Sequence, residues 1–391
     1  MKLGSRRTFA GLTAMACVCL VGSVLAAGQG GAAAPAPAQT PAAAGAQPPM
    51  SEEVFKNITM LKGIPVDNFF EAMGMFASAM GNDCTFCHAK AAYFDRAKFG
   101  EVTPKMIRAR GMIAMMNTIN KGYFGGEARV TCFTCHRGNN TPVREPDLAI
   151  QYGTGEEDPN AIDFVEYTQM SADALFDKYL QALGGRDRVA ALTSYVAKGT
   201  YEGFDTAFAK IPVEVYAKAP NQRTMIVKMV GGESYRVFDG RNGWMAGPDT
   251  PVPLLQLTAG NLERARFEAL AAFPANIRQA FPKWKVGRTA IDGQEVWIVQ
   301  GGTEGQPPTN LYFDQGGLLV RLVRWTATPV GRIPTQIDYK DYRVVNGMKM
   351  PYQWTVSQTY MQMSITLTDV QANAAIDPAK FNQPAPGKSD R

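Results

Sequence analysis

The chain has 391 residues, 46% of them apolar and 19% charged, enough to bury a core in two or more domains. Its formal net charge is +5, and Lys2, Arg6 and Arg7 supply three of those charges within a first 50 residues that contain no acid. The near-neutral remainder gives no electrostatic case for nucleic-acid binding, although such a total can hide a charged docking face.

The N-terminus, MKLGSRRTFAGLTAMACVCLVGSVLAAGQG, has a basic start, an apolar run and small residues at Ala26 and Ala27. That is the pattern of an export signal over residues 1–27. Arg6-Arg7 also fits a twin-arginine signal. The run Thr8 to Ala27 is 20 residues, long enough to anchor the chain if it stays uncleaved. Residues 28–50, rich in Ala and Pro, are expected to form a disordered linker.

From Ser51 the pattern turns helical. SEEVFKNITMLKG opens on a candidate N-cap, Ser51, with Glu52 and Glu53 in the first turn. PVDNFFEAMGMFASAMG has Pro65 at the first helical position and apolar residues at Phe69, Met73, Phe76, Ala77 and Met80. TPKMIRARGMIAMMNTINKG has Thr103 as N-cap, Pro104 at N1 and Gly122 as a stop. On it Met106, Ile113, Met116 and Asn120 fall on one stripe, and Met112, Met115 and Ile119 on the next.

Each of the last two helices is followed by Cys-x-x-Cys-His. The runs are Cys84, Cys87 and His88, and Cys132, Cys135 and His136, so 65–88 and 103–136 form a weak internal repeat. Residues 146–170 are loop-rich and read as a linker. SADALFDKYLQALGG is a helix ending at Gly184-Gly185, and about ten strand-like runs follow to the C-terminus. Met361, Met363, Ile365 and Leu367 alternate with polar residues, the mark of a strand with one buried face. Asp292-Gly293 and Asn346-Gly347 read as tight hairpin turns. GNLERARFEALAAFPANIRQAF is a helical insert between strands.

Six cysteines and two histidines complete the inventory: Cys17 and Cys19 lie in the signal, and all the others lie in the two runs. In an exported chain Cys-x-x-Cys-His reads as covalent haem c attachment. Two thiols form thioethers to the vinyl groups of one haem, and the adjacent imidazole reaches the iron. A zinc site of four thiolates or two disulfides would not need a histidine after each pair. The cofactors expected are therefore two covalently bound haem c groups. Both histidines are then used as proximal ligands. The sixth position at each iron is left to methionine, to another group, or open. Methionine favours electron transfer, and an open position permits ligand chemistry. Any single helical Met is more often core filler than ligand, but Met73 and Met112 sit mid-helix ahead of the two runs.

ARGMIAMMNTINKGYFGGEARVTCFTCHRG resembles the haem-binding unit of the cytochrome c subunit of photosynthetic reaction centres. FFEAMGMFASAMGNDCTFCH resembles it less closely. The resemblance spans residues 51–145. It implies a Met on the preceding helix as sixth ligand: Met112 for the second unit, and Met73, with Met75 the alternative, for the first. It also implies His88 and His136 as proximal ligands and thioethers at Cys84, Cys87, Cys132 and Cys135. Arg137 is a candidate for contact with a haem propionate. Tetrahaem members of that family carry four such runs, and this chain carries two.

The later part resembles, more loosely, the half-barrel of periplasmic lipoprotein carriers, through its initial helix ending in LGG and the segments VFDGRNGW and LYFDQGGLLVRL. Such a fold implies an apolar cavity for an acyl chain, a quinone or a lipidated partner; the competing reading is a closed docking module. The fold class expected is α+β multidomain: a mainly helical c-type dihaem domain at 51–145, then an antiparallel curved sheet or open half-barrel with helices at 171–391. The function expected is electron carriage in the periplasm or beyond, with redox proteins and a membrane-bound photosynthetic or respiratory complex as partners. The alternatives are a haem enzyme or sensor with one open iron, and a lipid or quinone carrier.

Overall fold

In the computed structural model the described residues are 47–146, 148–152, 162–164, 170–248, 250 and 252–387. The expected signal and residues 28–46 of the linker lie outside them, as do residues 147, 153–161 and 165–169 of the second linker.

The N-terminal part is helical. A single turn, α1 (Ser51–Val54), precedes α2 (Val66–Met80), α3 (Pro104–Tyr123), the short α4 (Cys132–His136) and α5 (Leu148–Tyr152). The helix expected from Ser51 onward stops after that turn, and its N-cap is Met50, not Ser51. Ser51 is buried, and its hydroxyl donates to the carbonyl of Leu61 at 2.7 Å. The Glu52 carboxylate accepts the N–H of Gly63 at 2.9 Å. Asn57 and Leu61 turn through the left-handed region. The segment folds back on itself because these local polar partners outcompete a second helical turn. Pro65 is the N-cap of α2 and Val66 its first residue. Thr103 caps α3 as expected, accepting the N–H of Met106, with Pro104 next.

The remaining helices are α6 (Ala172–Ala182), α7 (Arg186–Ala190) and α8 (Ala259–Ala272). The strands are β1 (Asp163–Phe164), β2 (Ser194–Gly203), β3 (Ile211–Lys218), β4 (Gln222–Met229), β5 (Gly232–Phe238), β6 (Gly243–Ala246) and β7 (Leu255–Gln256), then β8 (Trp284–Ile291), β9 (Gln294–Gly301), β10 (Thr309–Phe313), β11 (Leu319–Thr328), β12 (Gly331–Val345), β13 (Met348–Gln358) and β14 (Gln362–Ala372). They form one antiparallel sheet in the order β1-β8-β9-β10-β11-β12-β13-β14-β2-β3-β4-β5-β6-β7. The first and last strands do not pair, so the sheet stays open. Asp292-Gly293 and Asn346-Gly347 occupy the left-handed turns between β8 and β9 and between β12 and β13. Met363, Ile365 and Leu367 are buried as their alternation requires.

The main core lies between one face of the sheet and α6, α7, α8 and the turn at Pro274–Ala280. Phe176, Tyr179, Phe267 and Ile277 of the covering elements meet Val215, Phe313, Leu322 and Ile365 of the sheet. A second cluster joins the helical segment to the turn between β11 and β12: Ala72 and Met75 of α2 and Met116 of α3 pack with Val330 and Ile333. The Asn68 side chain donates to the carbonyl of Ala327 at 3.0 Å, fixing the same contact from the polar side.

Candidate functional site

Both Cys-x-x-Cys-His runs form a helical turn. In the first, Cys84–Phe86 is a tight turn capped by Asp83, whose carboxylate accepts the N–H of Thr85 at 2.8 Å. The N–H of His88 donates to the carbonyl of Cys84 at 3.0 Å. In the second, Thr131 and Thr134 cap α4 reciprocally, each hydroxyl accepting the other's N–H. Residues three and four apart share a helical face, so each turn presents two thiols and one imidazole together. All four cysteines are free thiols. Among the described residues no three of His, Cys, Asp and Glu converge on a metal-sized site, so the four-thiolate zinc arrangement is not formed.

The two imidazoles are held alike. His88 Nδ1 lies 2.9 Å from the carbonyl of Phe99, and His136 Nδ1 lies 3.0 Å from the carbonyl of Asn139. A carbonyl can only accept, so Nδ1 carries the proton in each ring, and Nε2 is left with its lone pair. That is the tautomer an iron ligand needs, oriented by a partner outside the site. The Phe99 ring packs edge-on against His88, with centroids 5.1 Å apart. Burial disfavours the charged form of His88 and pulls its pKa down. The same effect pushes the Cys132 thiol up to about 11.

The two units interlock. Gly138, just after the second run, donates to the carbonyl of Ala79 near the end of α2 at 3.0 Å. Gly81, the left-handed C-cap of α2, lies so close to Gly138 that a Cβ there would sit 2.2 Å from its carbonyl oxygen. The side chain of Asn120 on α3 exchanges two hydrogen bonds with Val130, at 2.8 and 2.9 Å, and holds the loop leading into α4. Thr103, the cap of α3, donates to the carbonyl of Cys87, tying the second helix to the first run.

The candidate methionines separate by environment. Met75 is 6% exposed and belongs to the cluster with Val330 and Ile333. Met73 is half-buried on a different side of α2. Ile113, Met116 and Asn120 form the buried stripe of α3, while Met112 is 43% exposed. Arg137 is exposed, in the left-handed region, with no ion pair among the described residues. The holding carbonyls of Phe99 and Asn139, and Asn120, are partners that sequence reasoning missed. A backbone carbonyl has no residue signature, and Asn120 reads only as one more member of a helical stripe.

The residues present fit haem c: paired thiols on a turn, an imidazole with Nε2 unprotonated, and a methionine-bearing helix before each run. The family model described as the photosynthetic reaction centre cytochrome C subunit matches residues 20–198. The N-terminal part of the chain resembles that subunit. Curated relatives of that name include those of Roseobacter denitrificans, 30% identical over 102 residues, and Rubrivivax gelatinosus, 32% identical over 111 residues. The alignments cover 24% and 27% of this chain and 26% and 28% of the relatives. The chain thus spans about a quarter of the length of the curated relatives it matches.

Among solved structures, the chain is similar to a DUF1329 family protein from Desulfovibrio piger, with a TM-score of 0.37 and 10% identity, over 54% of this chain and 96% of that one. It is similar at TM-score 0.36 and 10% identity to a LolA superfamily protein from Nitrosomonas europaea, over 54% and 97%. Among the described residues, aromatic side chains pack under α6 and α8, Phe176 against Trp284 and Phe267 against Phe281. A pocket between Phe176, Leu180 and Ile277 holds about 40 Å³, against roughly 300 Å³ or more for a typical small-molecule site. The lipid or quinone ligand therefore has no support in the structure.

Proposed function

We propose that this protein is an exported dihaem c-type cytochrome that carries electrons, with His/Met ligation at both irons. The observation that carries the reading is the shared restraint on His88 and His136: each imidazole donates from Nδ1 to a backbone carbonyl, directly beside a pair of free thiols. Two chemically equivalent sites on a repeated helix-and-turn unit are expected of a multihaem carrier.

In this reading Cys84 and Cys87, and Cys132 and Cys135, form the thioethers. His88 and His136 are the proximal ligands, and Met73 and Met112 the distal ones. Haem c supplies a one-electron iron couple when bound. The chain orients the imidazoles through the carbonyls of Phe99 and Asn139. It keeps the paired units at a fixed separation through the contact of Gly81 with Gly138, and it limits water at the first site by packing Phe99 on His88. Rigid placement lowers the reorganisation that accompanies each electron transfer. Met75 is set aside as a ligand because it fills the interface with β12. Export to the periplasm follows from the covalent haem chemistry and from the N-terminal segment. The partners are redox proteins, with a membrane-bound photosynthetic or respiratory complex at one end of the transfer.

An alkaline pyridine spectrum, in which pyridine replaces the axial ligands, counts the haems of the purified protein, and spectra of the native protein report the axial ligands. Two c-type haems per chain are expected, with a methionine-to-iron charge-transfer band in the oxidised form and no carbon monoxide shift in the reduced form. Absence of haem c would overturn the proposal. A carbon monoxide shift at one haem would replace it with an open-iron enzyme or sensor.

A further inference from the structure

The +5 net charge is unevenly placed. Residues 104–146 hold seven Lys or Arg against two Glu, a net +5. Residues 1–50 add three more cations, so the rest of the chain is net −3. Helix α3 is the centre of the positive segment: across 20 residues it carries Lys105, Arg108, Arg110 and Lys121 and no acid. A solvated helix normally balances its cations with acids three or four residues away. Here Arg108 and Lys121 are exposed and have no ion pair among the described residues. Beside Arg108 the large apolar side chain of Ile107 is turned to solvent, 60% exposed. Unpaired cations beside an exposed Ile are the composition of a recognition surface, not of a solvated face.

We propose that the exposed side of α3 docks an acidic redox protein. The proposal rests on the functional reading above, since the docked partner would exchange electrons with the adjacent second site. Charge complementarity commits the occupant: a helix with no acid and a net-positive flank repels a basic carrier and attracts an acidic one. Ile107 would supply the short-range contact once the charges have oriented the pair.

The test uses one carrier in two charge states. Mitochondrial cytochrome c is used as isolated, when it is basic, and after succinylation of its lysines, when it is acidic. Each is immobilised, and binding of the full chain is read by biolayer interferometry across a salt series. Binding to the succinylated form alone is expected, weakening as salt rises. In Arg108→Glu/Lys121→Glu that binding is expected to fall by about tenfold or more. Arg108→Gln/Lys121→Gln, a milder change, is expected to fall between the two, with circular dichroism checking that α3 is intact. Equal binding to both probes would overturn the proposal, as would an affinity untouched by the substitutions. So would capture by vesicles of phosphatidylcholine with phosphatidylglycerol but not by the acidic probe, which would identify α3 as a membrane-contact helix.

Haem content is measured on the same samples. A chain lacking haem c that still prefers the acidic probe would defeat the electron-carrier reading alone. A dihaem chain indifferent to probe charge would defeat only the docking proposal.

Discussion

The carboxylate of Asp67 on α2 accepts two hydrogen bonds from Thr258, one from its N–H and one from its hydroxyl, both at 2.7 Å. Asn261 donates to it as well, at 3.2 Å. Asp67 is buried, and it joins the helix that carries Met73 to the first turn of α8, more than 190 residues away along the chain. The helical segment is therefore fastened to the sheet by a polar latch in addition to the apolar cluster around Val330.

Replacing Asp67 by Ala removes the acceptor for all three donors and leaves them buried. A loss of about 2–3 kcal/mol is expected. The ionisation of Asp67 works in the opposite direction to that of a paired surface carboxylate. Burial, the largest influence, raises its pKa above the usual carboxylate value, against the hydrogen bonds from Thr258 and Asn261. The folded state thus holds its proton more tightly than the unfolded chain. The stability contributed by this linkage is fully present below the unfolded carboxylate pKa and is lost as pH rises through the folded value. Glu71, one turn further along α2, is also buried; burial raises its pKa, and the like charge of Asp67 adds to that rise. In urea titrations, the stability gap between wild type and Asp67→Asn is expected to narrow as pH rises across that window. A gap that widens would show that Asp67 is stabilised as the anion.

Gly81→Ala is expected to destabilise the protein by about 2–4 kcal/mol. The left-handed backbone disfavours a side chain, and the new Cβ would overlap the Gly138 carbonyl oxygen at 2.2 Å. Because Gly138 lies two residues beyond His136, haem incorporation at the second run is expected to fall as well. Thermal melts and haem-to-protein ratios check both effects.

Met75 and Met112 should respond differently to truncation. Met75→Ala opens a hole in the cluster with Met116, Val330 and Ile333, and about 2–4 kcal/mol of stability is expected to go. The optical spectrum is expected to stay unchanged. Met112→Ala, at an exposed position outside that cluster, opens no such hole. It is expected to abolish one methionine-to-iron band and to admit carbon monoxide at one haem. Unfolding curves and spectra of the two variants, taken together, check the pair.

The aromatic filling beneath α6 and α8 carries a chemical expectation. Solvent extraction of the purified protein followed by mass spectrometry is expected to recover no stoichiometric acyl lipid or quinone. Phe313→Ala, which removes a fully buried ring in contact with Tyr179 and Phe176, is expected to destabilise by about 3–5 kcal/mol.

Much of the architecture was legible locally. The Asn346-Gly347 and Asp292-Gly293 hairpins, the alternating β14 and the Thr103-Pro104 start of α3 are set by backbone sterics and short-range periodicity, and the structure has each of them. β8, WKVGRTAI, offers no clean alternation to read; it mixes buried, half-buried and exposed positions as it passes between β1 and β9. The helix read from Ser51 failed for a different reason. Its end is decided by Ser51 and Glu52 bonding to residues about ten positions away, which no helical pattern records.

The sequence by itself determined the set of donor residues. With every histidine and every cysteine outside the N-terminal segment placed in two Cys-x-x-Cys-His runs, the donor set is closed by composition and spacing alone. Tertiary structure alone decided which methionine of α2 is core and which is half-buried. Met73 and Met75 are equally apolar and two residues apart, but a helix turns about 200° between them. Which side faces protein depends on Val330 and Ile333, brought against α2 from a turn some 255 residues away. The same long-range packing filled the sheet's covered face, because the volume left under α6 and α8 is set by how elements distant in sequence meet.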